Sequence, residues 1–151
     1  ARQVRKPVKS VADPATYARL MAFFTDTKPV PAADLFGSRV SGQFTPASDI
    51  DVAVTLPSGM SVEDAFWEAA DIKDALEDIF RPLTVDVIDM ERTPSRIAHE
   101  VLRTGVLVAQ GDSERRVEVE ARRQSEYLDF LPRLRLYRKE VLGVDQPGED
   151  H

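Results

Sequence analysis

The sequence contains no cysteine. That excludes disulfides, thiolate metal sites and cysteine nucleophiles together, and it fits a reducing compartment. It has two histidines, His99 and the terminal His151, and neither has the neighbours a zinc site needs. No apolar run approaches the ~20 residues of a membrane-spanning helix, and no charged start followed by an apolar core marks a secretory leader. The expected location is therefore the cytoplasm, with no membrane partner. Also missing are an internal repeat, a Walker loop, a dinucleotide-binding glycine pattern and a serine nucleophile motif. Positive charge is not in excess either: 20 Lys and Arg stand against 26 Asp and Glu, a net charge of −6. A general polyanion binder is not expected from that balance, and direct nucleic-acid binding is not expected.

What is present suits one domain with a single core: 151 residues, 42% of them hydrophobic. Arg2, Arg5, Lys6 and Lys9 make a basic segment over 1–12, and Asp145, Glu149 and Asp150 make an acidic tail over 143–151. Both read as solvated tails. The domain proper is expected over 13–112, with a helical extension of the same domain over 113–142.

Asp13 followed by Pro14 predicts a helix start, and Tyr17, Leu20, Met21 and Phe24 predict its buried stripe. Short strands are predicted over 33–36, 49–56, 83–90 and 106–109. A helix over 62–80 begins at Ser61, which stands three residues before Asp64, and has Val62, Phe66, Ala69, Leu76 and Ile79 as its expected buried stripe. Trp67 is expected to add core area or a partial surface contact. Thr93-Pro94 predicts the cap of a further helix carrying Ile97, Val101 and Leu102 and ending at Gly105. The stretch 113–142 reads as one long charged helix or two bent at Pro132. Tyr127, Leu131, Leu134 and Val141, broadened by Phe130 and Tyr137, would line one face, either against the sheet or open to a partner. Strands alternating with helices give an α/β (α+β mixed) fold, a small mixed sheet flanked by helices.

One stretch resists explanation as scaffold: LFGSRVSGQFTPASDIDVAV, residues 35–54. Strand alternation turns Ile50, Val52, Val54 and Leu56 to one face and Asp49, Asp51, Ala53 and Thr55 to the other. Two carboxylates ~6 Å apart repel by about 3 kcal/mol at an effective dielectric of ~20. A hard cation relieves that repulsion, since carboxylate oxygens are preferred ligands of Mg²⁺, which takes substrate phosphates as further ligands. Asp86 can supply a third carboxylate if its strand lies beside the first, and Asp89, on the opposite face, is assigned to the surface or a turn. Gly37 lets backbone amides approach an anion, Ser38 adds a hydroxyl, and Arg39 offers a forked cation to phosphate.

Gly37-Ser38, ten intervening residues, then Asp49-Ile50-Asp51 resembles the signature of the DNA polymerase beta-like nucleotidyltransferases. FGSRVSG followed by SDIDVAV is most similar to their small prokaryotic subgroup, the minimal nucleotidyltransferases of the MntA antitoxin type. The strand VDVID falls where that pattern places its third acid, and a weaker likeness runs through HEVLRTGVLV. The resemblance implies two-Mg²⁺ nucleotidyl transfer from ATP or another NTP, with Mn²⁺ as an alternative ion. Asp49 and Asp51 would bind both ions, Asp86 would complete the one that activates the attacking hydroxyl, and Gly37 and Ser38 would hold the β and γ phosphates. It further implies an antitoxin of a type VII-like pair that adds AMP to a HEPN-domain toxin. Neutralisation by binding alone through the C-terminal helix, and transfer to a small molecule such as an aminoglycoside, are the competing expectations. Arg92 and His99 share the Arg-x6-His spacing of HEPN ribonucleases, which is read as chance, with His99 on a helix surface.

Overall fold

The computed structural model describes residues 11–142. The basic start, the acidic tail and His151 lie outside the described residues. Asp13 caps α1 (Pro14–Ala22): its carboxylate accepts from the Thr16 amide at 3.2 Å and the Thr16 hydroxyl at 2.6 Å. The helix continues into a π-helical turn, Phe23–Thr27. Leu20 and Phe24 are buried and Tyr17 partly so, but Met21 is exposed. Met21 sits one position round the helix from Leu20, on the solvent edge. The wider π turn instead brings Phe23 and Phe24 inward together, edge to face at 5.0 Å.

Four strands form one sheet: β1 (Ala32–Phe36), β2 (Ile50–Thr55), β3 (Val85–Asp89) and β4 (Val106–Ala109). Their order is β3-β2-β1-β4. β1 is antiparallel to β2 and β4, while β2 and β3 are parallel. A parallel pair needs a crossover, which α3 (Val62–Ile79) supplies. Each sheet face has its own core. Leu35, Val52, Val54 and Val85 pack with Leu20, Phe24, Ile72 and Leu76 on one side. Ala53, Phe36 and Ile88 pack with Ala98, Val101, Leu102 and Val119 on the other.

The Ser61 hydroxyl accepts from the Asp64 amide at 3.0 Å and starts α3 as expected. Its buried stripe differs from the expected one. Ala65, Ile72 and Leu76 face the core, whereas Val62 is 74% exposed, Phe66 62% and Ile79 38%. Ala69 is half-buried. The bulky residues carried the hydropathy signal, but small Ala65 and Ala69 let the helix lie close on the sheet. Trp67 is exposed and meets Phe66 edge-on at 5.1 Å.

In α4 (Ser95–Thr104) the N-cap position belongs to Pro94, which is extended at φ −55°, ψ 148°, so Thr93 lies one residue outside the helix it was expected to cap. The helix ends at Gly105. His99 is half-buried rather than fully on the helix surface. Its ring stacks on Tyr127 at 3.5 Å, and burial together with the Arg103 charge holds its pKa below the usual imidazole value.

Tyr127 belongs to α5 (Ser113–Tyr137), one continuous helix with Pro132 in its interior, which runs into a second π turn, Arg138–Leu142. The first half of α5 packs back on the domain. Arg115 Nε donates to the Leu56 carbonyl at 3.0 Å, Arg123 Nη1 donates to the Glu91 carbonyl at 2.8 Å, and Val119 is buried. The second half leaves Leu128, Leu136 and Tyr137 exposed, and Val141 of the π turn is exposed beyond them. Leu131 is half-buried. The side chains of Phe130 and Leu134, also read into this stripe, lie outside what is described.

Candidate active site

The sheet register brings the acids of β2 and β3 side by side. Asp51 pairs with Phe36 of β1 on one side and with Asp86 of β3 on the other. Both carboxylates lie on the α4 face of the sheet, the face that carries Ala53 and Ile88. Asp51 is half-buried, while Asp86 and Asp49, the latter just before β2, are exposed. Burial first, then the charges of Asp86 and Asp49 and a hydrogen bond with Asp86, push the Asp51 carboxyl up to about 6. Asp89 lies on the opposite face. Its carboxylate accepts from the Glu91 amide at 2.9 Å and pairs with Arg92 at 2.8 Å, so it is taken up locally. Arg92 also donates to the Met60 carbonyl at 2.9 Å, which leaves it and the Tyr127-stacked His99 in separate structural roles.

Gly37 follows β1 with φ 82° and ψ −152°, a conformation open essentially to glycine alone. A side chain there would also place Cβ 2.3 Å from Asp51 Oδ2. The glycine is therefore required twice, by its backbone and by the carboxylate against it. One helical turn follows as α2 (Ser38–Ser41), with Ser38 half-buried.

Arg39 departs from its expected role. It is 4% exposed. Nη1 pairs with Asp13 at 2.7 Å, Nη2 donates to the Ser48 carbonyl at 2.6 Å and more weakly to those of Thr45 and Pro46, and the guanidinium lies 4.9 Å from the Phe44 ring. It ties the loop before Asp49 to the start of α1 and does not present a cation to a phosphate. Removing one partner of a buried ion pair costs about 3 kcal/mol. Arg39→Met should thus lower stability by about that much in urea melts. Its KM for ATP should change less than threefold; weakened ATP binding at unchanged stability would restore the phosphate role.

Among the described residues no three His, Cys, Asp or Glu side chains stand close enough to make a ready metal cage. The donor set still fits a hard cation: burial first, and then the neighbouring carboxylates, raise the Asp51 pKa, and the repulsive part of that cost is what a divalent ion would relieve. Beside the acids opens a cleft of about 550 Å³, lined by Phe36, Asp51, Lys73, Asp86, Arg96 and Glu100 with apolar residues of β3 and α4. Lys73, Arg96 and Glu100 were not singled out in the sequence. They sit on two separate helices, and no local pattern announces that both helices border one strand end.

This arrangement defines a class. The polymerase beta nucleotidyltransferase family model matches residues 19–114, more than half of the chain, and the chain belongs to that family. Solved structures of toxin–antitoxin complexes, the MntA type among them, contain chains with the same fold. A toxin–antitoxin complex with AMP-PNP is 20% identical, with a TM-score of 0.56, over 84% of this chain and 95% of that one. The MntA–HepT complex is 18% identical, TM-score 0.52, over 85% and 95%. A chain of the complex between tri-AMPylated Shewanella oneidensis HEPN toxin and MNT antitoxin is 18% identical, TM-score 0.52, over 85% of this chain and 94% of that one. No curated protein matches. No helix among the described residues is long and apolar enough to cross a membrane.

Proposed function

We propose that the chain transfers AMP from ATP to a hydroxyl of a HEPN-type toxin and so acts as the antitoxin of its pair. The observation that carries this reading is the alignment of Asp51 with Asp86 across parallel strands, with Gly37 pressed against the same carboxylate. The partner is supported by the AMPylated HEPN toxin complex among the similar structures. In this reading the Gly37-Ser38 turn holds the triphosphate tail with backbone amides and a hydroxyl. The acceptor oxygen forms a bond to the α-phosphorus, the bond from that phosphorus to the β-phosphate oxygen breaks, and pyrophosphate leaves with the electron pair. The acceptor proton passes to Asp86, which is exposed and adjacent to Asp51. Asp49, Asp51 and Asp86 would hold Mg²⁺, which stabilises the charge on the entering and leaving oxygens when bound.

Labelled ATP, Mg²⁺, the protein and the product of the adjacent gene test this directly. Label should appear on the partner and be lost with Asp49→Ala plus Asp51→Ala. No label from the intact protein overturns the reading. A second function, neutralisation by binding alone, is favoured by the exposed Leu128, Leu136 and Tyr137 of α5. In that case the double variant still neutralises the toxin, whereas a chain ending after 126 does not.

A further inference from the structure

β3 lies at one edge of the sheet, whose order is β3-β2-β1-β4. Its inner side bonds to β2, where the Ile50 amide donates to the Thr84 carbonyl at 3.0 Å. On its outer side there is no neighbouring strand among the described residues, and an open edge leaves backbone groups without strand partners. Asp86 sits on this strand directly across from Asp51, and like charges placed opposite each other destabilise a strand pair. The third acid is thus carried by an edge strand that its own charge pushes outward.

Two side chains of α3 close that edge. The Val85 amide donates to Glu77 Oε2 at 3.0 Å, and the Val85 carbonyl accepts from Lys73 Nζ at 2.7 Å. Lys73 and Glu77, one helical turn apart, pair through the same carboxylate oxygen at 2.8 Å. Together they give Val85 one acceptor and one donor, which is what a further strand would supply there. A lysine–glutamate pair at this spacing is ordinarily a minor contact along a helix surface. Here both members reach the residue immediately before Asp86. Val85 is itself fully buried in the core, and Lys73 lines the cleft beside Asp51 and Asp86.

We propose that Lys73 and Glu77 are positioning residues: by holding the outer backbone groups of Val85 they keep Asp86 in register with Asp51, and so set the affinity of these acids for a divalent cation. The inference rests on the proposed function, in which those acids hold the ion.

The test compares the full chain with its Glu77→Leu, Glu77→Gln and Lys73→Met variants. Binding of Mn²⁺, with no nucleotide present, is followed by electron paramagnetic resonance, and amide exchange is followed in the metal-free protein. Glu77→Leu should weaken Mn²⁺ binding about tenfold, the scale on which lost support behind a metal ligand acts. Glu77→Gln keeps an acceptor for the Val85 amide and should stay within about twofold of the parent. Lys73→Met removes a cation beside the acids, which by charge alone would tighten Mn²⁺ binding; release of the Val85 carbonyl should weaken it instead. In an Asp86→Asn background, Glu77→Leu should cost nothing further, because its effect runs through Asp86. Without metal, the Ile50 amide should exchange about tenfold faster in Glu77→Leu while the amides of β1 keep their protection. Unchanged Mn²⁺ affinity in Glu77→Leu, equal losses in the Leu and Gln variants, tighter binding in Lys73→Met, or an undiminished loss in the Asp86→Asn background each overturns the proposal. Faster exchange across the whole sheet does so too, since the pair then serves general stability alone. If the parent binds no Mn²⁺, the metal site of the proposed function falls first and this inference falls with it.

Discussion

Asp51→Asn is expected to lower nucleotidyl transfer about a thousandfold or more while making the free protein more stable at pH 8. The loss follows from removing the half-buried carboxylate that stands between the other two, in a reaction that depends on charge placed where the entering and leaving oxygens develop theirs. The gain follows from the same geometry. Burial and the neighbouring Asp86 and Asp49 raise the Asp51 pKa from 3.8 to about 6. A raised carboxyl pKa means that the folded state holds its proton longer than the unfolded one. Its stability is then full below about pH 4 and is lost as pH rises through 6. Two units correspond to roughly 3 kcal/mol, and solvent screening at a partly open site reduces that to about 1–2 kcal/mol. Urea melts in EDTA at pH 4 and pH 8 read this out: parent and Asn variant should coincide at the low pH and separate at the high one. A variant less stable than its parent at pH 8 would show that these acids do not strain the fold.

The second large effect is expected at Gly37. Gly37→Ala forces a side chain into a glycine-only conformation, costing about 1–3 kcal/mol, and drives its Cβ against Asp51 Oδ2. The carboxylate must move, and a displacement of about 1 Å in a reacting group costs about 100-fold in rate. Gly59 provides the control: its φ of 85° is nearly the same, but a Cβ there meets nothing within 4 Å. Gly59→Ala should carry the backbone penalty in thermal melts and retain transfer activity. Equal activity in the two alanine variants would mean that contact with Asp51 plays no part.

Much of this was legible in the sequence because it was local. Alternation alone turned Asp49 and Asp51 away from Ile50, Val52 and Val54, and the fold has those apolar residues in one core and Ala53 in the other. The caps at Asp13 and Ser61 were equally local, since each reaches an amide three residues on. What failed depended on partners distant in the chain. Arg39 beside Gly37-Ser38 looks like a phosphate ligand until Asp13, 26 positions earlier, claims its guanidinium. His99 looks exposed until α5 returns Tyr127 over it. The stripe of α3 was misread because hydropathy rewards Val62, Phe66 and Ile79, while close approach of helix to sheet rewards Ala65. Arg96 and Lys73 had no sequence signal at all, since only the parallel placement of β3 beside β2 puts their helices around one cleft.

The two halves of α5 matter to the fold to different degrees. Substitutions at Arg115, Val119 or Arg123 disturb the domain's own packing, so lineages should tolerate few of them. Leu128, Leu136, Tyr137 and Val141 owe nothing to that packing. That packing places no constraint on them, so relatives should diverge unevenly along this helix, slowly in its first four turns and faster beyond them.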